Sequence, residues 1–293
     1  MTTTTRTLDV PGAVLTFDVH APRREAGCPP LLVIGNPMAA DGFAELVAEL
    51  GDRTVITYDP RGTARSPRER PTDEVTVDDH AADLHVVARA VDRGPLDVLG
   101  SSGGGVTAVS WAAAHPGEVR RLVAHEPPLT ALLSDRDVAV RAQQDVVDTY
   151  HRSGTGPATA KFLRLVSATE PLTPDYLDQP DPDPAAFGLP TEDDGRRDDL
   201  MLGTSLATMP RWEPPLDDLR AGVRSTDLRV LPAVGAASPP GGLAYRGAVA
   251  LAEALAVRPV VFPGDHGGFA RHAGAPDNDP AAFAARLRDL LAC

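Results

Sequence analysis

The sequence predicts a mostly parallel, doubly wound α/β sheet with an inserted helical cap. Short apolar runs that suit buried strands alternate with segments whose apolar residues recur at helical spacing. This alternation stops after residue 126 and resumes at residue 227. The stretch between is too long for a loop, so it is predicted to cover one end of the sheet.

The predicted domain boundaries follow from this interruption. Residues 1–126 and 227–293 are expected to form the sheet core, and residues 127–226 the helical cap or lid. The cap segment is rich in proline and acidic residues, and "DQPDPDPAAFGLPTEDDGRRDD" is typical of loops. Its helical patterns, such as "RDVAVRAQQDVVDTY", are weaker than those of the core.

The first part of the core begins with a predicted hairpin, because Pro11-Gly12 separates the strand patterns "TLDV" and "AVLTFDV". The buried strands "PLLVIG" and "RTVITYD" follow, with a helix between them that Asp41 is expected to cap. A helix over "VDDHAADLHVVARAVDRG" is predicted to stop at Gly94. Two further strands, "PLDVLG" and "VRRLVAHE", flank the helix "GGGVTAVSWAAAHPG".

The second part of the core completes the sheet. The strand pattern "DLRVLPAVG" comes first, and "RPVVFPG" is the last predicted strand. The helix "LAYRGAVALAEALAVR" lies between them. The chain closes with a helix for which Asp279 is the expected N-cap and Pro280 the first residue. Strands and helices in alternation predict helices on both faces of the sheet.

Composition excludes several classes of partner. The 293 residues carry a net charge of -13, so a polyanion such as DNA would be repelled. The start "MTTTTRTLDV" does not resemble a secretory signal, and no apolar run is long enough to cross a bilayer. Cys28 and Cys293 lack metal-ligand spacing and are expected to be unpaired thiols in a reducing cytoplasm. We therefore expect a cytoplasmic protein that acts on a small molecule without metal or cofactor, whereas the oligomeric state is not predicted.

Ser102 is the predicted nucleophile. The stretch from Gly100 to Gly104 fits G-x-S-x-G with Ser102 at its centre, whereas centring on Ser101 puts Leu99 at the first glycine position. The pattern lies between a predicted strand and a predicted helix, where a sharp turn exposes the serine hydroxyl. The alternative is a glycine-rich turn that only starts a helix or binds phosphate. The phosphate-binding motifs G-x-x-x-x-G-K-[ST] and G-x-G-x-x-G are both absent from this stretch.

His266 is the predicted general base, because a serine hydroxyl is a weak nucleophile until a base takes its proton. It directly follows the last predicted strand, in "VVFPGDHGGF", which places it at the same end of the sheet as Ser102.

Glu126 is the predicted acid of the site. A third group should orient the imidazole, but Ser238 stands after the strand where a carboxylate is often found in this type of fold. Glu126 ends the strand "VRRLVAHE" at the same edge of the sheet. The order Ser102, Glu126, His266 along the chain matches the order Ser…Asp/Glu…His found in catalytic triads of this kind. The alternative for Glu126 is a salt-bridged loop carboxylate.

The oxyanion donors are expected to be backbone N–H groups. Gly103 follows the nucleophile and supplies one. The second should come from the loop after "PLLVIG", where Pro37 has no N–H, so Asn36 is favoured and Met38 is next. Substrate contacts are expected at a further set of residues, namely Met38, Tyr150, His151, Phe162, Met201, Met209 and Trp212. The alternative for the five apolar and aromatic residues of the cap segment in this set is ordinary cap core.

These motifs resemble the α/β-hydrolase superfamily, in particular its actinobacterial members with a helical cap. "VITYDPRGTARS" is similar to the D-x-R-G-x-G-x-S segment of that family, "LGSSGGG" to its nucleophile turn and "PGDHGGF" to its histidine loop. The resemblance covers residues 8–126 and 227–293 and is weak across the cap. It departs from the family at Ile34-Gly35, where His-Gly is frequent, and at Ala64, which replaces a glycine.

The resemblance also bears on the reaction. The segment "GNP" is similar to the corresponding segment of haloalkane dehalogenases. Members of that family can carry the catalytic acid after the strand where Glu126 stands, but their nucleophile is an aspartate. Ser102 therefore disfavours dehalogenase and epoxide hydrolase chemistry. The predicted function is a serine hydrolase that cleaves a carboxylic ester, lactone or thioester of a small, largely apolar substrate. The alternatives are acyl transfer or cyclisation by the same site, or a non-catalytic small-molecule-binding protein on a hydrolase scaffold.

Overall fold

Eight strands form one sheet in the computed structural model, which describes residues 1–23, 27–71, 73–91 and 93–292. The strand order is β1-β2-β4-β3-β5-β6-β7-β8. The first two strands form the predicted hairpin, and the second also runs antiparallel to the fourth, whereas all other neighbours are parallel. The strands are β1 (Thr2–Val10), β2 (Ala13–Ala21), β3 (Leu31–Ile34), β4 (Val55–Asp59), β5 (Leu96–Ser101), β6 (Val119–His125), β7 (Arg229–Gly235) and β8 (Val260–Phe262).

Helices cover both faces of this sheet and bury its apolar side chains. Alternate residues of β3 point to opposite faces, so Leu32 and Ile34 join one buried cluster while Leu31 and Val33 join the other. A strand buried on both faces must be apolar throughout, which is what its sequence shows. The helices are α1 (Ala44–Glu49), α2 (Val77–Val91), α3 (Gly103–Ala114), α4 (Arg136–Ser153), α5 (Thr155–Val166), α6 (Leu206–Thr208), α7 (Leu216–Ser225), α8 (Leu243–Ala254) and α9 (Pro280–Leu291).

The predicted mostly parallel α/β fold is confirmed, and one of its two predicted helix caps is wrong. Asp279 caps α9 by accepting from the Ala281 N–H. Asp41 does not cap a helix, because it lies inside a 3₁₀ turn over Ala40–Phe43 that precedes α1. The carboxylate of Asp59, at the end of β4, accepts from the Ala40 N–H at 2.9 Å instead.

The cysteine prediction is wrong for Cys28, which is disulfide-bonded. Cys293 lies outside the described residues. None of the helices within those residues combines the length and apolar composition that crossing a membrane requires.

The segment between β6 and β7 is helical at its two ends and mostly irregular between them. Helices α4 and α5 come first, and a π-helix over Met201–Ser205 leads into α6 and then α7. The acidic, proline-rich stretch between α5 and the π-helix contains only short 3₁₀ turns among its described residues, as its turn-forming composition predicts. Side chains from α5, the π-helix and α6 line a cavity together with the carboxyl ends of the strands.

Candidate active site

Ser102 occupies the turn between β5 and α3 in a strained backbone conformation. Its φ of 54° and ψ of -128° lie where residues with a side chain are uncommon. The Ser102 N–H donates to the carbonyl of His125 at 2.9 Å, which ties the turn to the end of β6. The structure therefore places Ser102 on the strand-to-helix turn that the G-x-S-x-G pattern predicts.

The glycines after Ser102 are explained by close backbone contacts. A Cβ on Gly103 would lie 2.4 Å from the carbonyl oxygen of Asn36, and one on Gly104 would lie 2.3 Å from that of Ile34. Because these neighbours are backbone atoms, no side-chain rotation can relieve the overlap. The glycines let α3 begin directly against the loop that follows β3.

Glu126 and His266 contact each other although they follow different strands. Glu126 Oε2 lies 2.7 Å from His266 Nδ1, and Glu126 Oε1 accepts from the Gly235 N–H at 2.8 Å. Glu126 itself has a φ of 47° and donates its N–H to Ala233, so β7 holds it from both sides. Since an ionised carboxylate only accepts hydrogen bonds, His266 Nδ1 carries the proton and Nε2 is free to accept one.

The Glu126 carboxyl is buried yet favours its ionised form. Burial raises its pKa, but the hydrogen bond from His266, the charge that the His266 imidazole can carry and the Gly235 N–H together hold the pKa below its ordinary value. The neighbouring His125 is fully buried among aromatic rings, and burial lowers its pKa to about 4. His125 is therefore neutral at neutral pH and does not compete with His266 for the carboxylate.

A hydrogen-bonded clamp holds the loop that carries His266. Asn278 Oδ1 accepts from the Asp265 N–H at 2.9 Å, and Asn278 Nδ2 donates to Asp265 Oδ1 at 2.9 Å. Asp265 Oδ1 also accepts from the Gly267 N–H at 2.8 Å, so the backbone on both sides of His266 is held. Asp265 thus binds its own loop rather than the imidazole, as its adjacency to His266 predicts.

The expected oxyanion donors lie side by side. The close approach of Gly103 to the Asn36 carbonyl brings the two backbones together, and Asn36 Nδ2 donates to Thr107 Oγ1 of α3 at 3.4 Å. Among the described residues, no backbone carbonyl accepts from the N–H of Asn36 or Gly103. Both N–H groups are therefore available to an oxygen bound beside Ser102.

Ser102, Glu126 and His266 line one cavity of about 420 Å³. Its wall is mostly apolar, and the predicted oxyanion residues Asn36 and Gly103 lie on it. A larger open groove of about 1020 Å³ at the amino ends of β6 and β7 contains none of these groups. The remaining wall of the smaller cavity includes Gln143, Leu165, Val166, Ser205, Leu206, Ser238 and Tyr245.

Three of the predicted substrate contacts line this cavity, namely Phe162, Met201 and Met209. The other four do not. Tyr150 is fully buried with its hydroxyl bonded to the Asp199 N–H, and His151, next to it, is exposed. Trp212 donates from Nε1 to Asp78 at 3.2 Å, and Met38 packs against the apolar cluster under α1 and α9. The prediction that these four residues contact the substrate is therefore corrected, because they lie outside the cavity.

Sequence reasoning missed two cavity residues of α5 and two of the segment after it. Leu165 and Val166 follow Phe162 by three and four positions and so share its helix face. Because this helical spacing is visible in the sequence, it could have added Leu165 and Val166 to the predicted cavity wall. Ser205 and Leu206 lie at the junction of a π-helix and a short α-helix, for which the sequence carried no recognised signal.

A nucleophile turn, a histidine loop and a helical segment over the carboxyl ends of the strands together define a hydrolase of the α/β type. The chain belongs to the α/β hydrolase fold family, whose sequence model matches residues 29–176. It is 30% identical over 301 residues to the uncharacterized hydrolase YraK of Bacillus subtilis (strain 168), covering 99% of this chain and 97% of that protein. The predicted family resemblance is confirmed.

Solved structures share the fold. A thermophilic esterase from Thermogutta terrifontis superimposes with a TM-score of 0.65 at 19% identity, over 99% of this chain and 98% of that one. The enol-lactonase from Burkholderia xenovorans LB400 gives a TM-score of 0.62 at 19% identity, over 98% of this chain and 99% of that one.

Proposed function

We propose that this protein is a serine hydrolase that cleaves a carboxylic ester, lactone or thioester of a small, largely apolar substrate. The observation that carries the proposal is the 2.7 Å contact between Glu126 and His266 at the rim of the cavity that also contains Ser102. The esterase and the enol-lactonase that share the fold support the ester and lactone bonds of this proposal. Residues 127–226 would act as the cap, and the apolar cavity wall would select the substrate.

The reaction would proceed in two halves. Ser102 Oγ attacks the carbonyl carbon while His266 Nε2 takes the hydroxyl proton, and Glu126 stabilises the imidazolium through Nδ1. The Asn36 and Gly103 N–H groups bind the oxygen that becomes negative. The tetrahedral intermediate collapses as His266 gives its proton to the leaving alcohol or thiol. Water, deprotonated by His266, then attacks the acyl-enzyme, and the acid leaves as Ser102 regains its proton.

The proposal is tested with Ser102→Ala and the wild-type protein on p-nitrophenyl acetate. Ser102→Ala should lose nearly all turnover, and the wild type should react covalently with a fluorophosphonate at Ser102, located by peptide mass spectrometry. Full esterase activity in Ser102→Ala would contradict the proposal. A wild-type protein inert to both reagents would favour the non-catalytic binding alternative.

Acyl transfer remains the second candidate because the cavity wall around Ser102 is mostly apolar. Exclusion of water would favour an alcohol or amine acceptor over hydrolysis. Product analysis with added acceptors separates the two. Release of free acid alone supports hydrolysis, and a dominant acylated acceptor supports transfer.

A further inference from the structure

A second group of chemically reactive side chains lies at the opposite end of the sheet from Ser102. His85 is on α2, His115 directly follows the last residue of α3, and Glu118 ends the short turn before β6. None of the three lines the cavity of the candidate active site. The proposed hydrolysis uses none of them.

The three side chains can place one ligand atom each around a common point. One nitrogen of His85, one of His115 and one oxygen of Glu118 all lie within 4.8 Å of one another. His85 Nδ1 is 3.0 Å from each carboxylate oxygen of Glu118. A tetrahedral zinc ion with ligands at about 2.1 Å separates them by roughly 3.4 Å. Because the His85 and His115 rings are stacked with their planes 14° apart, at least one ring must rotate about χ2 before both nitrogens face one ion.

The surroundings orient the Glu118 carboxylate and hold His115 next to it in the chain. Trp111 is buried, and its Nε1 donates to Glu118 Oε2 at 2.9 Å, which fixes the carboxylate as outer hydrogen bonds do around metal ions. The backbone N–H of Glu118 donates to the carbonyl of His115 at 3.0 Å, so a tight turn holds these two ligands together. The His115 ring stacks on that of His85 at 4.0 Å, and among the described residues it has no hydrogen-bond partner.

The chemistry of the ligands selects the ion. Imidazole nitrogens with one carboxylate suit zinc and its neighbours in the first transition row, whereas magnesium and calcium prefer oxygen alone. The half-exposed position leaves room for water as the fourth ligand. We propose that His85, His115 and Glu118 bind a divalent transition-metal ion, with Zn²⁺ the best fit, at a site remote from the cavity. The ion would link α2 to the turn before β6 and so stabilise the fold.

The test is titration of the chelator-treated full-length protein with ZnSO₄ by calorimetry, together with thermal unfolding. We expect one equivalent of Zn²⁺ to bind and the Tm to rise by about 5 °C at saturation. His85→Gln and His115→Gln should each weaken binding at least tenfold, whereas His151→Gln, which changes an exposed histidine outside the cluster, should not. Saturable binding that both cluster variants retain unchanged would overturn the proposal, as would no binding at about 0.1 mM Zn²⁺.

A second measurement does not depend on the variants folding. Co²⁺ added to the wild-type protein should produce the visible absorption bands of a four-coordinate ion, and Zn²⁺ should displace them. Octahedral Co²⁺ spectra at every concentration would count against the site. Because neither readout involves ester cleavage, the result is independent of the proposed catalytic function.

Discussion

The carboxylate of Glu126 and the imidazole of His266 meet at 2.7 Å although 140 positions separate them in the chain. Each residue follows a different strand, and β7 lies between those strands in the sheet. The second carboxylate oxygen of Glu126 bonds the Gly235 N–H at the end of β7, which spans that gap. The pair therefore depends on the order of three adjacent strands.

We predict that Glu126→Gln lowers kcat on p-nitrophenyl acetate on the order of 10³- to 10⁴-fold. The amide carbonyl can still accept from Gly235, but its NH₂ then faces His266 Nδ1 and forces the proton onto Nε2. The imidazole in that tautomer cannot take the Ser102 proton. The exposed Glu253→Gln is the matched control and should keep wild-type turnover. Unchanged turnover in Glu126→Gln would remove Glu126 from the site.

We predict that Gly103→Ala lowers kcat on the order of 10²-fold, as the loss of an oxyanion donor does. The new methyl group would meet the Asn36 carbonyl oxygen at 2.4 Å and push the two proposed donors apart. Gly117→Ala is the control, because a Cβ there meets nothing within 4 Å. Equal kcat in both variants would show that this close approach is not needed for catalysis.

We predict that Asn278→Ala lowers kcat about tenfold and changes KM little, because a displaced catalytic group slows the reaction without altering the cavity wall. Asn278 does not line the cavity but holds the Asp265 backbone next to His266. The exposed Asp277→Ala serves as control. Fluorophosphonate titration counts the folded active sites, so a loss explained entirely by fewer active sites would refute the positioning role.

Acid should destabilise the protein partly through His125. Burial lowers its pKa from 6.5 to about 4, so below pH 6.5 the unfolded chain takes a proton that the folded chain does not until about pH 4. Stability contributed by the neutral imidazole is thus present above pH 6.5 and lost as the pH falls toward 4.

Urea unfolding from pH 7 to 4.5 should therefore show a smaller loss of free energy in His125→Leu than in the wild type, by on the order of 2 kcal/mol. His151→Gln, which replaces an exposed histidine, is the matched control for the loss of a histidine outside the core. Parallel curves for wild type and His125→Leu would contradict the prediction.

The strand and helix patterns were readable because a doubly wound sheet imposes them locally. β3 is buried on both faces and is apolar at all four positions, and Asp279-Pro280 starts α9 by local hydrogen bonding and a fixed φ. Asp41 was misassigned because the Ala40 N–H finds its acceptor in Asp59, which is distant in sequence. A long-range partner of that kind leaves no mark in the local pattern.

The cavity wall was less predictable than the reacting groups. Phe162 and Met209 line the cavity, but Tyr150 has the same apolar character and lies in the core of the helical segment. Trp212 likewise turns toward Asp78 on α2 instead. Composition identifies side chains that avoid water without saying which apolar surface they meet.

The sequence by itself determined the class of fold, the serine turn and the strand ends at which Glu126 and His266 lie, because these depend on local periodicity and on glycine spacing. Only the tertiary structure decided that Glu126 reaches His266, that Asn36 lies against Gly103 and which residues of the 127–226 segment face the cavity. The reason is physical. Local patterns set backbone conformation and burial, whereas contacts between distant residues depend on how the elements pack.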